Sequence, residues 1–446
     1  MIKRFIRRVL GLDSPGLLSI PQAGHGVTRN TISPSALKVC DVLADRGYAA
    51  YVVGGAVRDV LLGIEPKDFD VATDARPEQI KPLFRRALLI GRRFRLVHVM
   101  MGPETIEVST FRAADAQKAE KDEHGRVLRD NVFGTLEEDA RRRDFTVNAL
   151  YYDCRSGQLI DYHGGLADLK KRTLRMIGDP ETRFREDPVR MLRAVRLGAK
   201  LGLTIDGRTR APIKRLAPLL EHVPPPRLFE EMLKLLLSGH ASACLRQLRS
   251  EGLHKGMLPL LDVILDQPLG ERFVTLALAQ TDERVRTDRP VSPAFLFAAL
   301  LWHEVLAAWK AREKRGERRM PALEMAMDEV LDAQSGKLAI TRRLTATMRE
   351  VWAMQPRFEE RSGQRPYRLL ELPRFRMAYD FLALRAASGE VPAEIESWWR
   401  TFQTADHETR EAMLLPDTGQ QGKKRRRRRR GKKAAGPTDA GAPPQE

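Results

Sequence analysis

Two aspartates separated by one residue carry the chemistry that this sequence predicts. Asp68 and Asp70 lie in the segment DFDVATDA, where alternating polar and apolar residues predict a strand from Asp68 to Val71. Because successive side chains of a strand point to opposite faces, both carboxylates share one face, and Phe69 and Val71 point into the core. Two adjacent negative charges favour a bound cation, and carboxylate oxygens without His or Cys favour Mg²⁺. The pair therefore predicts a site for two Mg²⁺ ions, which could activate a hydroxyl and neutralise a leaving pyrophosphate.

A diglycine upstream of the aspartates is typical of a phosphate-binding turn. The apolar run Ala50–Val53 predicts a short buried strand, and Gly54 and Gly55 join it to a helix through Leu62. Amide groups at a helix N-terminus bind phosphate oxygens, and glycine has no Cβ to keep the anion away. With Arg58 on the same helix, the turn is predicted to hold the phosphates of a nucleotide.

A third group of polar residues follows Arg185 on a predicted helix. Asp187, Arg190 and Arg193 recur at i, i+3 and i+6 and therefore share nearly one stripe, with Pro188 tolerated in the first turn. A carboxylate and a guanidinium offer an acceptor and a donor fork that can pair with the edge of a base. Adenine and cytosine both fit this arrangement, so these residues alone leave ATP and CTP open.

The elements that must position these groups are predicted from periodicity and from helix caps. Ser33 as an N-cap, followed by Pro34, predicts that order begins with a helix that Gly47 ends. The charged stretch 113–131 has no hydrophobic period and predicts a mobile loop. The other predicted elements are a helix at 77–84, strands at 88–90, 95–101 and 106–111, and helices throughout 166–219 and 227–415. The pattern predicts an α+β head followed by an all-α region.

The chain of 446 residues has an excess of positive charge, with 77 Lys and Arg against 59 Asp and Glu and a net charge of +18. Such an excess favours a polyanionic partner such as nucleic acid, and the 42% of hydrophobic residues excludes a wholly disordered chain. Residues 422–433 alone contribute ten positive charges. This block predicts a disordered tail that captures a phosphate backbone electrostatically.

The cysteines and the N-terminus bear on the cellular compartment. Cys40, Cys154 and Cys244 are far apart and form no CxxC motif, which predicts a reducing, cytoplasmic compartment rather than a disulfide framework. Residues 1–10 are basic and amphipathic, and weak contact with an anionic membrane surface is the alternative to a mobile terminus. No apolar run reaches about 18 residues, so no membrane-spanning helix is predicted.

Five sequence blocks occur together in the order found in one known family. The blocks are GGAVRD, DFDVATDA, RRRDFTVNALYY at 141–152, DYHGGLADLKKRTLRMIGDP at 161–180 and RFREDPVRMLRAVRLGAKLG at 183–202. The chain thereby resembles the nucleotidyltransferase superfamily that includes DNA polymerase β, specifically its bacterial branch of tRNA CCA-adding enzymes and poly(A) polymerases. The resemblance covers residues 30–415. It implies a polymerase-β-like head with a mixed sheet and helices, followed by an all-α neck, body and C-terminal region.

The resemblance also implies roles for individual residues. Asp68 and Asp70 would bind the metal ions, and Asp144 would be the third catalytic carboxylate. The implied nucleotide-binding residues are Gly54, Gly55, Arg58, Arg143, Asp187, Arg190 and Arg193. Two alternatives remain open at this point. Glu107 lies on a strand that should flank the aspartate pair and is a rival third carboxylate, and Asp144 could instead form a structural ion pair with a neighbouring arginine.

Three further segments resemble poly(A) polymerases rather than CCA-adding enzymes. They are LLIGRRFRLVHVM at 88–100, RLFEEMLKLLLSG at 227–239 and EIESWWRTFQTADHETREAML at 394–414. The implied activity is template-independent transfer of AMP from ATP to RNA 3′-hydroxyl ends with release of pyrophosphate, in RNA polyadenylation and decay. A tRNA CCA-adding enzyme and a catalytically silent RNA-binding protein are the alternatives.

The predicted organisation has six parts. They are a basic flexible leader (1–30), a catalytic head (31–165), a helical neck with base recognition (166–225), a helical RNA-binding body (226–330), a helical arginine-rich region (331–415) and a disordered polybasic tail (416–446). The basic body and tail are expected to bind RNA backbones non-specifically, and the tail also to attract RNA-decay proteins. Trp398 and Trp399 are candidate stacking platforms, with at least one of them expected in the core.

Overall fold

The N-terminal part of the chain is built on an eight-stranded mixed sheet. The structure, a computed structural model, describes residues 17–91, 95–113, 120–121, 127–129, 132–253, 268–335 and 339–416. The strands are β1 (Leu18–Ile20), β2 (Ala50–Val53), β3 (Asp70–Thr73), β4 (Ala87–Ile90), β5 (Leu96–Met101), β6 (Glu104–Thr110), β7 (Glu120–Lys121), β8 (Val127–Arg129), β9 (Leu150–Asp153), β10 (Leu159–Asp161), β11 (Thr173–Leu174) and β12 (Thr204–Ile205). The order across the sheet is β1-β10-β9-β2-β3-β6-β5-β4, with β3 and β6 parallel and the other neighbours antiparallel.

Helices cover the sheet and build the rest of the chain. In chain order they are α1 (Gln22–His25), α2 (Pro34–Asp45), α3 (Gly55–Leu61), α4 (Pro77–Ile80), α5 (Leu136–Arg142), α6 (Gly165–Lys170), α7 (Pro180–Glu186), α8 (Val189–Leu201), α9 (Gly207–Arg210), α10 (Ile213–Leu216), α11 (Pro225–Leu236), α12 (Ala241–Ser250), α13 (Pro268–Arg286), α14 (Pro293–Lys314), α15 (Arg319–Ser335), α16 (Arg342–Met354), α17 (Arg365–Leu370), α18 (Phe375–Ser388), α19 (Ala393–Phe402) and α20 (His407–Met413). Short 3₁₀ turns lie at Arg29–Thr31, Lys81–Leu83, Thr146–Asn148, Ala217–His222 and Gln355–Glu359.

The predicted first helix and the strand after it are confirmed. The side chain of Ser33 accepts hydrogen bonds from the amides of Ser35 and Ala36, which caps α2 as its position before a proline predicts. The strand predicted at Ala50–Val53 is β2, and the diglycine follows it directly. The α+β head and the mostly helical remainder therefore follow the sequence pattern.

Order begins earlier than predicted at the N-terminal end. Strand β1 pairs with β10 and extends the sheet at its edge, and Val27 is only 1% exposed. Residues 17–30 are therefore part of the folded head rather than a flexible leader, because edge pairing satisfies backbone groups that a three-residue stretch cannot satisfy alone. Residues 1–16, including the predicted membrane-contacting residues 1–10, and the tail from residue 417 lie outside the described residues.

Two other predictions differ from the structure in detail. The neck stretch 166–219 is not helical throughout, because β11 and β12 form a short parallel pair on either side of α8. The strand predicted from Asp68 begins at Asp70 instead. Its partner β2 ends at Val53, which lies opposite Asp70, and the chain then turns away at Gly54. Within the predicted loop 113–131, the structure describes the paired strands β7 and β8, and most of the remaining residues lie outside the described part.

The hydrophobic core of the head continues into the helical remainder, where long apolar helices contribute most of the buried side chains. Helix α14 is long and apolar enough to cross a membrane, but 61% of its apolar window is buried within the fold. Its Trp302 donates a hydrogen bond to Glu390, and the Trp352 indole donates to the Ala298 carbonyl. The helix therefore serves as the central core helix of this region.

Helix α6 approaches the 3₁₀ turn Thr146–Asn148 so closely that only glycine fits at its first position. A Cβ on Gly165 would lie 2.2 Å from the Thr146 carbonyl oxygen. The amides of Gly165 and Leu166 donate to the buried carboxylate of Asp161, which fixes the start of the helix. The glycine therefore sets the distance between α6 and the turn.

We expect Gly165→Ala to lower the free energy of unfolding by about 1–3 kcal/mol, because backbone atoms rather than a flexible side chain must move. Chemical denaturation of the full chain measures this change. Gly207→Ala is the matched control, since a Cβ there meets no atom within 4 Å. Equal stability of the two variants would contradict the close approach.

Candidate active site

The diglycine turn lies between two guanidinium groups. Gly54 has φ 79° and ψ −130°, a conformation that residues with a Cβ rarely adopt. A Cβ on Gly55 would lie 3.4 Å from Arg58 Nη2, and one on Gly54 would lie 3.5 Å from Arg143 Nη1. The first amides of α3 thus lie beside two guanidinium groups. Amide donors with positive charge nearby provide the environment that a phosphate requires.

The Arg58 side chain is buried behind this turn rather than exposed to solvent. The residue is 6% exposed. Its Nε donates to Asp59 Oδ1 at 2.8 Å and its Nη1 donates to Asn148 Oδ1 at 2.6 Å. The prediction that Arg58 contacts phosphate directly is therefore revised: its buried charge and contacts support the turn, because a buried guanidinium needs acceptors on several of its N–H groups.

Three carboxylates meet at the start of β3. Asp68 precedes the strand, and Asp70 lies in register with Glu107 on the parallel neighbour β6. Adjacent strands are about 5 Å apart, so in-register side chains on one face are neighbours. Glu107 in turn lies opposite His98, whose Nε2 is 3.6 Å from Glu107 Oε2. The register therefore brings Glu107, the rival candidate from the sequence, next to the aspartate pair.

The carboxylate of Asp70 is electrostatically poised for a cation. Its side chain is exposed at the start of β3, but partial desolvation by nearby protein atoms, with the charges of Glu107 and Asp68, raises its pKa to about 7 despite the opposing effect of Arg143. Negative neighbours that raise a carboxylate pKa also favour a bound metal ion, and an oxygen-only set suits Mg²⁺. Within the described residues, no three His, Cys, Asp or Glu side chains already form a metal-binding group. Phosphate oxygens of a substrate would have to complete such a site.

Arg143 is held rigidly beside this cluster. Its Nε donates to Tyr151 Oη at 2.8 Å, and its Nη2 donates to Asp139 Oδ2 at 3.1 Å. Although burial opposes ionisation, Arg143, Arg142 and the Tyr151 hydroxyl lower the pKa of Asp139 to about 2. The fixed guanidinium lies next to Gly54, where it can face a nucleotide phosphate. Tyr151 is fully buried in this network.

Asp144 has the contacts of a structural ion pair. Its Oδ2 accepts from Arg193 Nη2 at 2.6 Å and Nε at 2.9 Å. Its Oδ1 accepts from the Phe145 amide at 2.8 Å and from Asn148 Nδ2 at 3.0 Å. Burial works against the charge, but Arg193, Asn148 and the Phe145 amide hold the pKa of Asp144 well below its usual value. Both oxygens are therefore engaged by the protein, and the structure favours Glu107 over Asp144 as the third carboxylate.

The predicted base-recognition stripe is divided between a bend and a helix. Asp187 is not helical but extended, with φ −152° and ψ 90°, because a residue before proline avoids helical geometry. Helix α8 begins at Val189, so Arg190 and Arg193 lie on it and Asp187 lies at the bend before it. This corrects the single stripe that the spacing predicted.

The contacts of these neck residues also differ from one another. Asp187 Oδ2 accepts from Arg227 of α11 at 2.5 Å, and its buried Oδ1 has no partner among the described residues. Arg190 Nη1 donates to the Arg183 carbonyl at 2.8 Å. Arg193 instead reaches the head through Asp144. Asp187 is thus the member of the three with an unused acceptor.

Several residues of the site were not predicted from the sequence. Asn148 and Asp59 bind Arg58, and Arg227 binds Asp187. Arg183 donates to the carbonyls of Arg142 and Arg143 and thereby ties α7 to the end of α5. Three of these residues lie in the five sequence blocks quoted above, Asp59 in GGAVRD, Asn148 in RRRDFTVNALYY and Arg183 in the block that begins RFREDP, but their contacts depend on which elements meet.

The two tryptophans of α19 are engaged in packing. Trp399 is fully buried and donates to the Phe358 carbonyl. Trp398 stacks on Phe402 with ring centroids 4.5 Å apart and donates to the Met413 carbonyl. Trp399 therefore has no free face for a base, and the closest face of Trp398 is already covered.

Comparison with protein families finds three matches along the chain. Residues 50–175 match the Poly A polymerase head domain, residues 202–265 match the Probable RNA and SrmB- binding site of polymerase A, and residues 315–433 match the Polymerase A arginine-rich C-terminus. The three regions follow one another without overlap and include all the candidate site residues except Asp187, Arg190 and Arg193.

Similar proteins fall into two groups. Poly(A) polymerase I of Escherichia coli O6:H1 is 46% identical over 436 residues, 93% of each chain. The same enzyme of Haemophilus influenzae is 45% identical over 406 residues, 89% of this chain and 90% of the relative. A CCA-adding enzyme of Bacillus licheniformis is 38% identical but covers only 53% of this chain and 58% of its own length. Among solved structures, the Bacillus stearothermophilus CCA-adding enzyme in complex with CTP has a TM-score of 0.57 at 26% identity, covering 86% of this chain and 82% of its own.

We expect Asp70→Asn to stabilise the ligand-free protein, with a gain that grows as the pH rises. The folded pKa of about 7 exceeds the ordinary value of 3.8, so between these values the folded state binds a proton that the unfolded state releases. This carboxyl group therefore lowers wild-type stability across that window, and the difference is constant above pH 7. Melting temperatures of both proteins from pH 4 to 8, without divalent ions, measure the effect.

Glu65→Gln removes the same charge from the exposed loop before Asp68 and serves as the control. A pH-independent difference between Asp70→Asn and the wild-type protein would contradict the raised pKa.

Proposed function

The chain belongs to the poly(A) polymerase I family of nucleotidyltransferases, and from this we propose that it adds AMP from ATP to RNA 3′ ends without a template. In the proposed reaction the 3′-hydroxyl oxygen attacks the α-phosphorus of ATP. A new phosphodiester bond forms, the bond to the β-phosphate oxygen breaks, and pyrophosphate leaves while the hydroxyl proton passes to solvent. The cellular role that we propose is RNA polyadenylation in RNA decay and processing.

The observation that carries this proposal is the extent of the similarity. The relatives that are poly(A) polymerases align over 89–93% of this chain, whereas the CCA-adding enzyme aligns over 53%, and residues 315–433 match the arginine-rich C-terminus of polymerase A. A CCA-adding enzyme remains the second candidate, because solved CCA-adding enzymes share the fold over 86% of the chain. A silent RNA-binding protein is disfavoured by the Asp68, Asp70 and Glu107 cluster, which is unfavourable without a bound cation.

The phosphates of ATP would bind at the diglycine turn. The amides at the start of α3 and the helix dipole favour negative charge there. Arg143, fixed by Asp139 and Tyr151, would face the phosphates from beside Gly54. Arg58 would act from behind Gly55. The chain's own groups thus orient the triphosphate before any reaction, which removes much of the entropic barrier to transfer.

Asp68 and Asp70, with Glu107 beside them, fit two Mg²⁺ ions through the chemistry of their oxygens. Bound there, the ions would activate the attacking hydroxyl and neutralise charge on the leaving pyrophosphate. Every other contribution comes from side chains and amides of this chain. The register of β3 and β6 keeps Glu107 next to the aspartate pair.

The base of ATP would be read at the bend before α8. Asp187 Oδ1 is buried and unpaired among the described residues, so it can accept from the amino group of adenine. Cytosine offers a similar amino group, and the choice of ATP therefore depends on the shape of the pocket around Arg190. The similarity to poly(A) polymerases favours adenine.

RNA, further partners and location complete the proposal. The basic body and the tail at 416–446 would bind RNA backbones through phosphate contacts, and the tail would also attract RNA-decay proteins. Three free buried thiols fit a reducing, cytoplasmic compartment. Weak membrane contact through residues 1–10 is a secondary proposal that deletion of these residues and cell fractionation can test.

The proposed function is tested by incubating the full chain with Mg²⁺, a generic RNA and each nucleoside triphosphate in turn. We expect a long ladder of extended RNA products with ATP alone, because the site recognises one base and uses no template. A truncated tRNA with ATP and CTP is the control substrate. Arrest after addition of CCA would instead assign a CCA-adding enzyme, and no incorporation would leave an RNA-binding protein.

We expect Glu107→Gln to lower turnover by about 100-fold or more, corresponding to about 3 kcal/mol of transition-state stabilisation, with unchanged RNA affinity. Glu104→Gln, the same change at the start of the same strand, is the control and should retain wild-type turnover. The resemblance predicts instead that Asp144→Asn nearly abolishes turnover. Steady-state kinetics of the three variants separates the two roles. Retained turnover in Glu107→Gln, with loss of turnover in Asp144→Asn, would show that Asp144 is the third catalytic carboxylate.

A further inference from the structure

Asn148 is a buried side chain with a place in the site but no predicted role. It ends the 3₁₀ turn Thr146–Asn148 below the diglycine turn and is 7% exposed. A primary amide is unusual in that one end donates hydrogen bonds and the other accepts them. Both ends of this amide are used, each by a charged residue.

The donor end of Asn148 leads to the base-recognition helix. Its Nδ2 donates to Asp144 Oδ1 at 3.0 Å, and Asp144 Oδ2 accepts from Arg193 Nη2 at 2.6 Å. Arg193 lies on α8, one turn after Arg190. The position of this helix relative to the head is therefore transmitted to the Asn148 amide through two hydrogen bonds.

The acceptor end of Asn148 leads to the phosphate-binding turn. Its Oδ1 accepts from Arg58 Nη1 at 2.6 Å, and Arg58 Nη2 forms an ion pair with Asp59 at 2.6 Å. The same Nη2 lies 3.4 Å from the position of a Cβ on Gly55. Arg58 thus packs directly against the turn, and Asn148 determines where its guanidinium lies.

The order of charges along this network explains why an amide is needed. From neck to head the groups are Arg193, Asp144, Asn148 and Arg58, so a neutral group separates a carboxylate from a guanidinium. A carboxylate at 148 would keep its bond to Arg58 but would face Asp144 Oδ1 across about 3 Å without a proton between them. An apolar residue would leave two buried charged groups each short of a partner.

We propose that Asn148 is a positioning residue that fixes the phosphate-binding turn relative to the base-recognition helix. This inference rests on the proposed function. In the proposed function, the base of ATP binds at one end of this network and the phosphates bind at the other. The Asn148 amide therefore sets the distance between the base-recognition helix and the phosphate-binding turn. Asn148 itself touches neither end of the nucleotide and acts through Asp144 and Arg58.

The test uses two variants of the full chain. Asn148→Asp breaks the link to Asp144 while keeping the size of the side chain and the contact to Arg58. The second variant, Asn148→Ser, keeps a neutral group that can donate to Asp144 and accept from Arg58, and it leaves Asp144 and its bonds to Arg193 in place. Asn30→Asp, at an exposed asparagine, is the control for the change of charge.

We expect Asn148→Asp to lower kcat/KM for ATP by about 10- to 100-fold, the effect of a misalignment on the order of 1 Å. The preference for ATP over CTP should fall as well, because the two ends of the nucleotide are no longer held in register, whereas KM for RNA should stay unchanged. The Asn148→Ser variant should retain at least tenfold more kcat/KM than Asn148→Asp. Kinetics with ATP and CTP on one RNA primer, together with melting temperatures, measure these effects.

Two results would overturn the positioning role while leaving the proposed function intact. One is an Asn148→Asp variant with wild-type kcat/KM and ATP preference. The other is an Asn148→Ser variant that has the wild-type melting temperature but no more activity than Asn148→Asp, since a neutral donor and acceptor at this position would then not align the nucleotide. A wild-type protein that adds no AMP to RNA would overturn the proposed function itself, and the positioning role with it.

Discussion

The contact between Arg193 and Asp144 is the constraint on which the geometry of the site depends. A carboxylate from the head is buried and receives four hydrogen bonds, two of them from a guanidinium of the neck. Separating such a pair leaves uncompensated charge in a poorly solvated place, which is strongly unfavourable. The head and α8 are therefore held in one arrangement. The satisfied Asp144 contrasts with Asp70, whose pKa is raised by desolvation and by the neighbouring charges of Glu107 and Asp68.

Much of the head could be predicted from the sequence because its signals are local. The cap at Ser33, the apolar run at Ala50–Val53 and the diglycine after it each specify a structure within a few residues. The pattern DFD also placed Asp70 correctly in a strand, although Asp68 lies before the strand rather than in it. Periodicity predicted the helical remainder, and the family resemblance added the order of the blocks; neither depends on exact contacts.

The predictions that differ from the structure involve contacts between distant segments. Strand β1 has three residues and forms because β10 offers an edge, which its own composition does not indicate. Arg58 was expected to contact phosphate, but its neighbour Asp59 and the distant Asn148 hold its guanidinium behind the turn. The sequence placed Glu107 on a strand expected to flank the aspartate pair, but only the register of β3 and β6 puts it opposite Asp70. The pairing of β1, the bond between Asn148 and Arg58 and the register of Glu107 with Asp70 all join segments that are distant along the chain.

The open sheet has consequences for how copies of this protein meet in solution. Strand β1 covers one edge of the sheet, and β4 forms the other, with Leu88 56% exposed. Among the described residues no strand pairs with β4 on its outer side, and an unpaired edge with an apolar side chain is a template for self-association. Arg85 and Arg86, both exposed, immediately precede this strand. Their like charges are expected to oppose the approach of a second copy along this edge, and added salt is expected to weaken that repulsion.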